Sequence, residues 1–222
     1  MDFGKAFSFA FEDPDWVKKL GIAGLLMIIP IIGWLAVAGW GIEVARRVIQ
    51  NDPKPLPDWG NFGDYLMKGV MVWVIGFVYA LPIILVNACS QGLVFALQNN
   101  NDNTLATGIT VLTACFSCVS FIYSIFMGFV VPAAYGKYAA TGQLGAAFRF
   151  GEVFGLVRTA PSAYLIVLLG GIVAAFVGAL GIIVCVIGAL FTYAYAMIVQ
   201  AHLWGQAYNV ASPGQPAVTA TY

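Results

Sequence analysis

The stretch Phe11–Trp59 decides the fold: FEDPDWVKKL-GIAGLLMIIPIIGWLAVAGWGIEVARRVI-QNDPKPLPDW. An acidic, aromatic lead-in meets Lys18 and Lys19, and a long, nearly uncharged run follows, interrupted by Ile29-Pro30-Ile31-Ile32-Gly33. Glu43, Arg46 and Arg47 close it before a proline-rich loop. As one helix, Leu20–Ile49 would run about 45 Å, against a hydrocarbon core of about 30 Å, so a single span would have to tilt strongly. Pro30 and Gly33 permit a break instead. Basic pairs flank both ends, and the positive-inside rule places both on the cytoplasmic side. The run therefore reads as a hairpin that enters and returns on one side. Its first half, about ten apolar residues, is short for a full crossing and is expected to insert only partly.

Composition supports lipid as the solvent. Of 222 residues, 61% are hydrophobic and only 9% charged, whereas soluble domains carry about 25% charged residues. Lys+Arg and Asp+Glu balance at 10 each, and no basic cluster points to nucleic acid. Cys89, Cys115, Cys118 and Cys185 lie in apolar runs, where cysteine behaves as a small hydrophobe. The opening residues show no basic region and no small-residue cleavage site, so the first apolar run is expected to act as an uncleaved insertion signal.

Outward from that stretch, Phe3, Phe7 and Phe11 share one helical face, which suits a short amphipathic helix in the interface or packed on the protein itself. Asp13-Pro14-Asp15 reads as the start of the next helix. Gln50–Lys68 reads as a loop, Gly69–Leu97 as a span kinked at Pro82, Gln98–Thr104 as an external polar turn, and Leu105–Val131 as the return. A cytoplasmic segment reaches Pro161, and Ser162–Tyr208 divides near Gly181 into another hairpin. Three lead-ins, AFSFAFEDPDWVKKL, PDWGNFGDYLMKG and AAFRFGEVFGLVRTAP, each precede a paired apolar run. The predicted fold is an all-α polytopic transmembrane bundle. It has about six membrane-embedded helices in three units of interfacial helix plus hairpin, near 1–56, 57–142 and 143–211. The units form one transmembrane domain over 1–211, with a flexible polar tail at 212–222.

The main intramembrane polar pattern is Thr110, Thr113, Ser117, Ser120 and Ser124, one narrow helical face, opposite Asn87 and Gln91 on the preceding span. Polar glue between helices is the favoured reading and a hydrophilic path the other, because no acid, lysine or arginine lies deep in either span. Gly170, Ala174 and Gly178 give small-xxx-small spacing, for the neighbouring span or another subunit. Glu43 stands at ion-pair spacing from Arg46 and Arg47. Those arginines, with Lys18 and Lys19, are candidates for anchoring or for lipid headgroups. His202, the only histidine, is a bare candidate for ligating a cofactor; interfacial hydrogen bonding is the simpler role. Cys115-Phe-Ser-Cys118 has CxxC spacing but no second pair. No nucleotide loop, nucleophile–base pair or paired carboxylates occur, so neither an enzyme nor a bound cofactor or metal is expected.

Phe11-Glu12-Asp13-Pro14-Asp15-Trp16, Lys19 and Ile28-Ile29-Pro30-Ile31-Ile32-Gly33 resemble the prokaryotic membrane family called domain of unknown function 4013. Arg46-Arg47-Val48-Ile49 with Leu56-Pro57-Asp58-Trp59 and Gly69 is similar to its next block, and Ala201-His202-Leu203-Trp204-Gly205-Gln206-Ala207-Tyr208 to its closing segment. Glu43 departs from the pattern, where a neutral or basic residue is expected. The resemblance implies topology and a prokaryotic setting, and no activity. The chain is thus expected in the cytoplasmic membrane, multi-pass, with both termini cytoplasmic. Its expected role is that of a scaffold or accessory subunit that self-associates or joins other membrane proteins. Transport of a lipid or small solute is the alternative.

Overall fold

The computed structural model describes residues 1–97, 103–184 and 186–213. Residues 98–102 of the expected polar turn, Cys185 and residues 214–222 of the expected tail lie outside them. The described chain is all-helical: α1 (Phe3–Ser8), a 3-10 turn (Phe9–Glu12), α2 (Trp16–Leu26), α3 (Ile32–Ile49) and a 3-10 turn (Trp59–Asn61) come first. Then follow α4 (Phe62–Leu97), α5 (Asn103–Thr141), α6 (Leu144–Ala147), α7 (Phe150–Thr159), α8 (Pro161–Val184) and α9 (Val186–Ala211). Two compact units divide it: Met1–Ile75 with Phe129–Tyr222, and Gly76–Gly128.

In the first unit the chain breaks between Leu26 and Ile32, with Pro30 in the break. Gly33 has its Cα against the Leu26 carbonyl, where any Cβ would clash. Ile31 takes φ 68° and ψ −66°, a γ-turn closed by the Ile32 amide on the Pro30 carbonyl (2.8 Å) and costly for a β-branched residue. Trp59 donates its indole N–H to the Lys19 carbonyl (2.9 Å) and stacks on Trp40 at 4.9 Å between ring centroids. The start of α2 thus lies beside the middle of α3, and the two helices run antiparallel. α2 is about 16 Å long, half the hydrocarbon thickness. Asn51 ends α3 at φ 56°, while the amides of Asn51 and Asp52 donate to the carbonyls of Val48 (3.1 Å) and Arg47 (2.9 Å). This is a Schellman closure with asparagine in the left-handed position.

α9 is the axis of this unit. Ala194, Ile198, Val199, Leu203 and Ala207 are all fully buried. α3 runs parallel to it: Gly41 faces Ala201, Gly205 meets Ala45 and Val48, and Asn209 donates to the Val48 carbonyl (3.1 Å). α8 runs antiparallel, with Gly170 on Leu203, Gly178 on Ala196 and Gly181 on Thr192. Gly181 therefore does not divide the last hairpin. Its missing side chain admits α9, and α8 continues to Val184. The amino-terminal segment is tied along α9: Gln206 accepts from the Asp2 amide (2.6 Å) and donates to its carbonyl (2.8 Å), and Tyr195 donates to the Phe7 carbonyl (2.6 Å). Ala6, Phe9 and Ala10 are buried, while Phe3 and Phe11 stay exposed.

Several expected boundaries move. Helix α4 begins at Phe62, not after Lys68, because the proline punctuation ends at Pro57 and Asp64 pairs with Lys68 one turn on (2.6 Å). The second lead-in therefore has no separate interfacial helix. α5 runs through Pro132 to Thr141, past the expected end of the return span at Val131; it stops where Gly142 takes φ 67°. Asp13 does not cap α2: its carboxylate accepts from the Asp15 amide (2.8 Å) and from Lys19.

The second unit is an antiparallel pair of helical segments from α4 and α5. Tyr123 donates to the Tyr79 carbonyl (2.6 Å), and Ser120 to the Asn87 side-chain oxygen (3.3 Å). Large apolar side chains such as Leu85, Phe121 and Ile122 point outward. Among the described residues, three helices are long and apolar enough to cross a membrane: Trp59–Ala96, Thr107–Thr141 and Pro161–Ile183. This marks a candidate multi-pass membrane protein in contact with a lipid bilayer.

Candidate functional site

The charged residues that the composition made scarce gather where the α2–α3 hairpin meets the loop after α3. Asp13 and Lys19 are both buried. The Lys19 ammonium donates to Asp13 Oδ2 (2.7 Å) and the Leu56 carbonyl (3.1 Å), and pairs with Asp58 Oδ1 (3.0 Å). Trp40 donates its indole N–H to the Pro57 carbonyl (3.0 Å), which fixes the loop against α3. Burial alone would push the Asp13 carboxyl up, but hydrogen bonds from Lys19 and the Asp15 amide, with the Lys19 charge, hold it below its ordinary range. Burial would likewise lower Lys19, yet its bonds and charge pairing with Asp13 and Asp58 raise it.

A second cluster joins α3 to α4. Glu43, 4% exposed, accepts from Arg46 Nε (2.9 Å) and a terminal Arg46 nitrogen (2.7 Å) and from Lys68 (2.7 Å), with Arg47 at 3.6 Å. Lys68 also donates to Asp64 (2.6 Å). Just beside this cluster the two helices touch backbone to backbone. A Cβ on Gly39 would overlap the Tyr65 carbonyl, and one on Gly69 the Leu35 carbonyl. A third cluster pairs Lys137 of α5 with Glu152 of α7, and Arg149 adds a weaker contact to Glu152 at 3.5 Å. For the buried charges of the first two clusters, Asp13, Lys19, Glu43 and Lys68, leaving one unpaired costs ~3–5 kcal/mol. Lys19 and Lys68 each meet two carboxylates and Lys137 meets one, so the clusters act as electrostatic cross-links between segments of the fold.

The sequence-predicted residues fall into distinct places. Lys18 is exposed, whereas its neighbour Lys19 is turned inward to its carboxylates. Arg46 and Arg47 keep about a third of their side chains exposed, 31% and 29%, while serving Glu43; Arg47 also reaches the Lys54 carbonyl (3.3 Å). Gly170, Ala174 and Gly178 lie along α8, the two glycines against Leu203 and Ala196 of α9. Asn87 meets Ser120, about a turn beyond the level of Cys115. Thr113 and Ser120 are half-buried; Gln91, Thr110, Ser117 and Ser124 are exposed. Ser117 and Ser124 donate back to the carbonyls of Thr113 (2.9 Å) and Ser120 (2.8 Å) in their own helix. His202 is buried, its ring stacked on Phe9 at 4.4 Å and its Nδ1 3.0 Å from Gln206 Nε2. An added ligand on that ring face would have to displace Phe9. Among the described residues no group of three or more His, Cys, Asp or Glu side chains is placed to hold a metal ion.

Sequence reading missed Asp13, Asp58, Lys68 and the Lys137–Glu152 pair. Asp64 and Lys68 carry a visible signal, their i,i+4 spacing. The Lys19–Asp58 and Glu43–Lys68 pairs join residues 39 and 25 positions apart and leave no local trace. An apolar groove also opens where Pro30, Ile31 and Trp34 face Gly69, Trp73 and Tyr193.

The model of the family described as "Protein of unknown function (DUF4013)" matches residues 22–202, most of the chain. No curated protein and no solved structure matches it. The matched region begins inside α2 and ends inside α9; it contains all of α3 and α8 with Glu43 and Lys68, while Asp13, Lys19 and the end of α9 lie outside it. The chain belongs to the DUF4013 family, a family of unknown function, and with its three candidate spans it is a helical, candidate multi-pass membrane member.

Proposed function

We propose that the chain is a non-catalytic scaffold or accessory subunit that associates, within the membrane, with a second copy or with other membrane helices. The observation that carries this reading is the outward face of α5. In the candidate span Thr107–Thr141 only 6% of the most apolar window is buried inside the chain. On that nearly uncovered helix the exposed hydroxyl residues Thr110, Ser117 and Ser124 recur every seven positions. A seven-residue repeat keeps one seam turned toward a partner helix at a shallow left-handed crossing. Small residues along such a seam let helix backbones approach closely. Purely lipid-facing helices have no need of a hydroxyl stripe. The saturated ion pairs of the first unit suit the same reading, since they fix helices rather than leave a side chain free for chemistry.

Native mass measurement of the purified protein, with in-membrane crosslinking, tests this. The expected result is a discrete oligomer or a stoichiometric complex that Ser117→Phe with Ser124→Phe abolishes while the monomer stays folded. A strictly monomeric protein with no copurifying partner would overturn the reading.

A further inference from the structure

The first turn of α2 carries groups that the ion pairs do not use. A cavity of about 300 Å³ lies between that turn and the Asp58–Gly60 corner, lined by Asp15, Lys18, Lys19, Ile22, Asp58 and Trp59. Its two lysines differ. Lys19 is saturated by Asp13, Asp58 and the Leu56 carbonyl. Lys18 is exposed, and among the described residues no hydrogen bond or ion pair engages its ammonium or the Asp15 carboxylate. Asp15 stands at the cap position of α2, yet its side chain caps nothing. Asp58 gives one oxygen to Lys19 and leaves its side chain 83% exposed. Below the cavity, α2 turns an apolar strip outward: Ile22 is half-exposed and Leu25 exposed. Beside them, a Cβ on Gly21 would meet nothing within 4 Å.

We propose that this cavity binds the headgroup of a zwitterionic aminophospholipid, its phosphate on the Lys18 ammonium, its primary ammonium on the carboxylates of Asp15 and Asp58, and one acyl chain along Ile22 and Leu25. The charges select the class. The cavity is lined by two lysines and two aspartates, balanced in sign, and the Lys18 ammonium and the Asp15 carboxylate are engaged by no ion pair among the described residues. A lone interfacial lysine would attract any anionic lipid. Here an anionic headgroup without an amine would meet two carboxylates with nothing to offer them. A quaternary ammonium brings charge but no N–H donor, whereas a primary ammonium has three. The dense ring of polar groups at the top and the bare apolar strip beneath match an amphiphile. Trp59, with its indole N–H on the Lys19 carbonyl, sets the headgroup level as interfacial tryptophans do.

The test is native mass spectrometry of the full chain in detergent with added phosphatidylethanolamine, phosphatidylcholine or phosphatidylglycerol of identical acyl chains. Phosphatidylethanolamine is expected to be retained about five-fold better than either of the others, a difference of about 1 kcal/mol. Lys18→Gln should weaken retention of phosphatidylethanolamine, and Asp15→Asn should remove its advantage over phosphatidylcholine. Both side chains are exposed and unbonded, so thermal unfolding should stay unchanged in each variant. Equal retention of the three lipids, or variants that bind as the wild type does, would overturn the proposal. Free phosphoethanolamine displacing the lipid at equal concentration would overturn its acyl-chain half and assign the cavity to a soluble amino-phosphate.

Discussion

Glu43 is the residue on which the α3–α4 contact turns. It faces Arg46, Arg47 and Lys68, and a neutral residue there would leave the nearly buried Lys68 with only Asp64. Glu43→Ala is expected to destabilise the fold by about 3–5 kcal/mol, read as a lower unfolding midpoint in detergent, with Glu43→Ala/Lys68→Met recovering part of it. Half of this cluster was legible in the sequence, because Arg46 and Arg47 lie three and four positions from Glu43 on one helix. Lys68 was not, because no local spacing reports which helix will lie alongside.

Asp13 and Lys19 set a pH window. The Asp13 carboxyl is lowered from its usual 3.8, so its stabilisation is present above that value and lost as pH falls through the folded value. Lys19 is raised above its usual 10.5, so its share is present below that value and lost as pH rises through the folded one. The unfolding midpoint of the wild type should exceed that of Asp13→Asn by a constant margin from about pH 5 to 9, and the margin should shrink below about pH 4. Sequence reading grouped Lys18 and Lys19 as candidates for anchoring or for lipid headgroups. The two lysines are adjacent, and successive helical positions point about 100° apart, so one can face the core while the other faces out.

At the scale of elements, glycine decides which helices meet. Gly39 and Gly69 place α3 and α4 in backbone contact, while Gly21, Gly92 and Gly108 have open space where a Cβ would sit. Gly39→Ala or Gly69→Ala should cost at least about 1–3 kcal/mol by forcing the helices apart. Alanine at Gly92 should be neutral or stabilising, since helix propensity favours it over glycine by about 1 kcal/mol. Thermal melts of the three variants separate these effects. The break at Pro30 was legible because proline and a doubled basic flank speak locally. The lengths of α4 and α5 were not. Pro132 and Gly136 look like terminators, yet α5 passes both, and Gly136 leaves room for Trp204 and Tyr208. Packing overrode local propensity there.

Across the whole molecule, hydropathy marked the apolar helices that are candidates to cross a membrane, but hydropathy does not rank helices by what surrounds them. α9 contributes much of the first unit's core, although it is not among the three candidate spans. Its Tyr195, His202 and Gln206 are spent on the amino-terminal segment. The hydroxyl face of α5 was read as a single stripe. In the structure its members divide, Ser120 toward Asn87 and Ser117 and Ser124 outward, because at about 3.6 residues per turn positions three apart lie about 60° apart and positions four apart about 40° apart around the helix.

The two ends of the α2–α3 hairpin are held to one loop, Lys19 by the Leu56 carbonyl and Arg47 by the Lys54 carbonyl. In cysteine-free protein carrying a single cysteine at Lys18 or at Lys54, both are exposed positions suited to a membrane-impermeant thiol reagent applied to sealed vesicles of known orientation. Both positions are expected to label from the same side. Labelling from opposite sides would contradict the hairpin and make Leu20–Ile49 a single crossing.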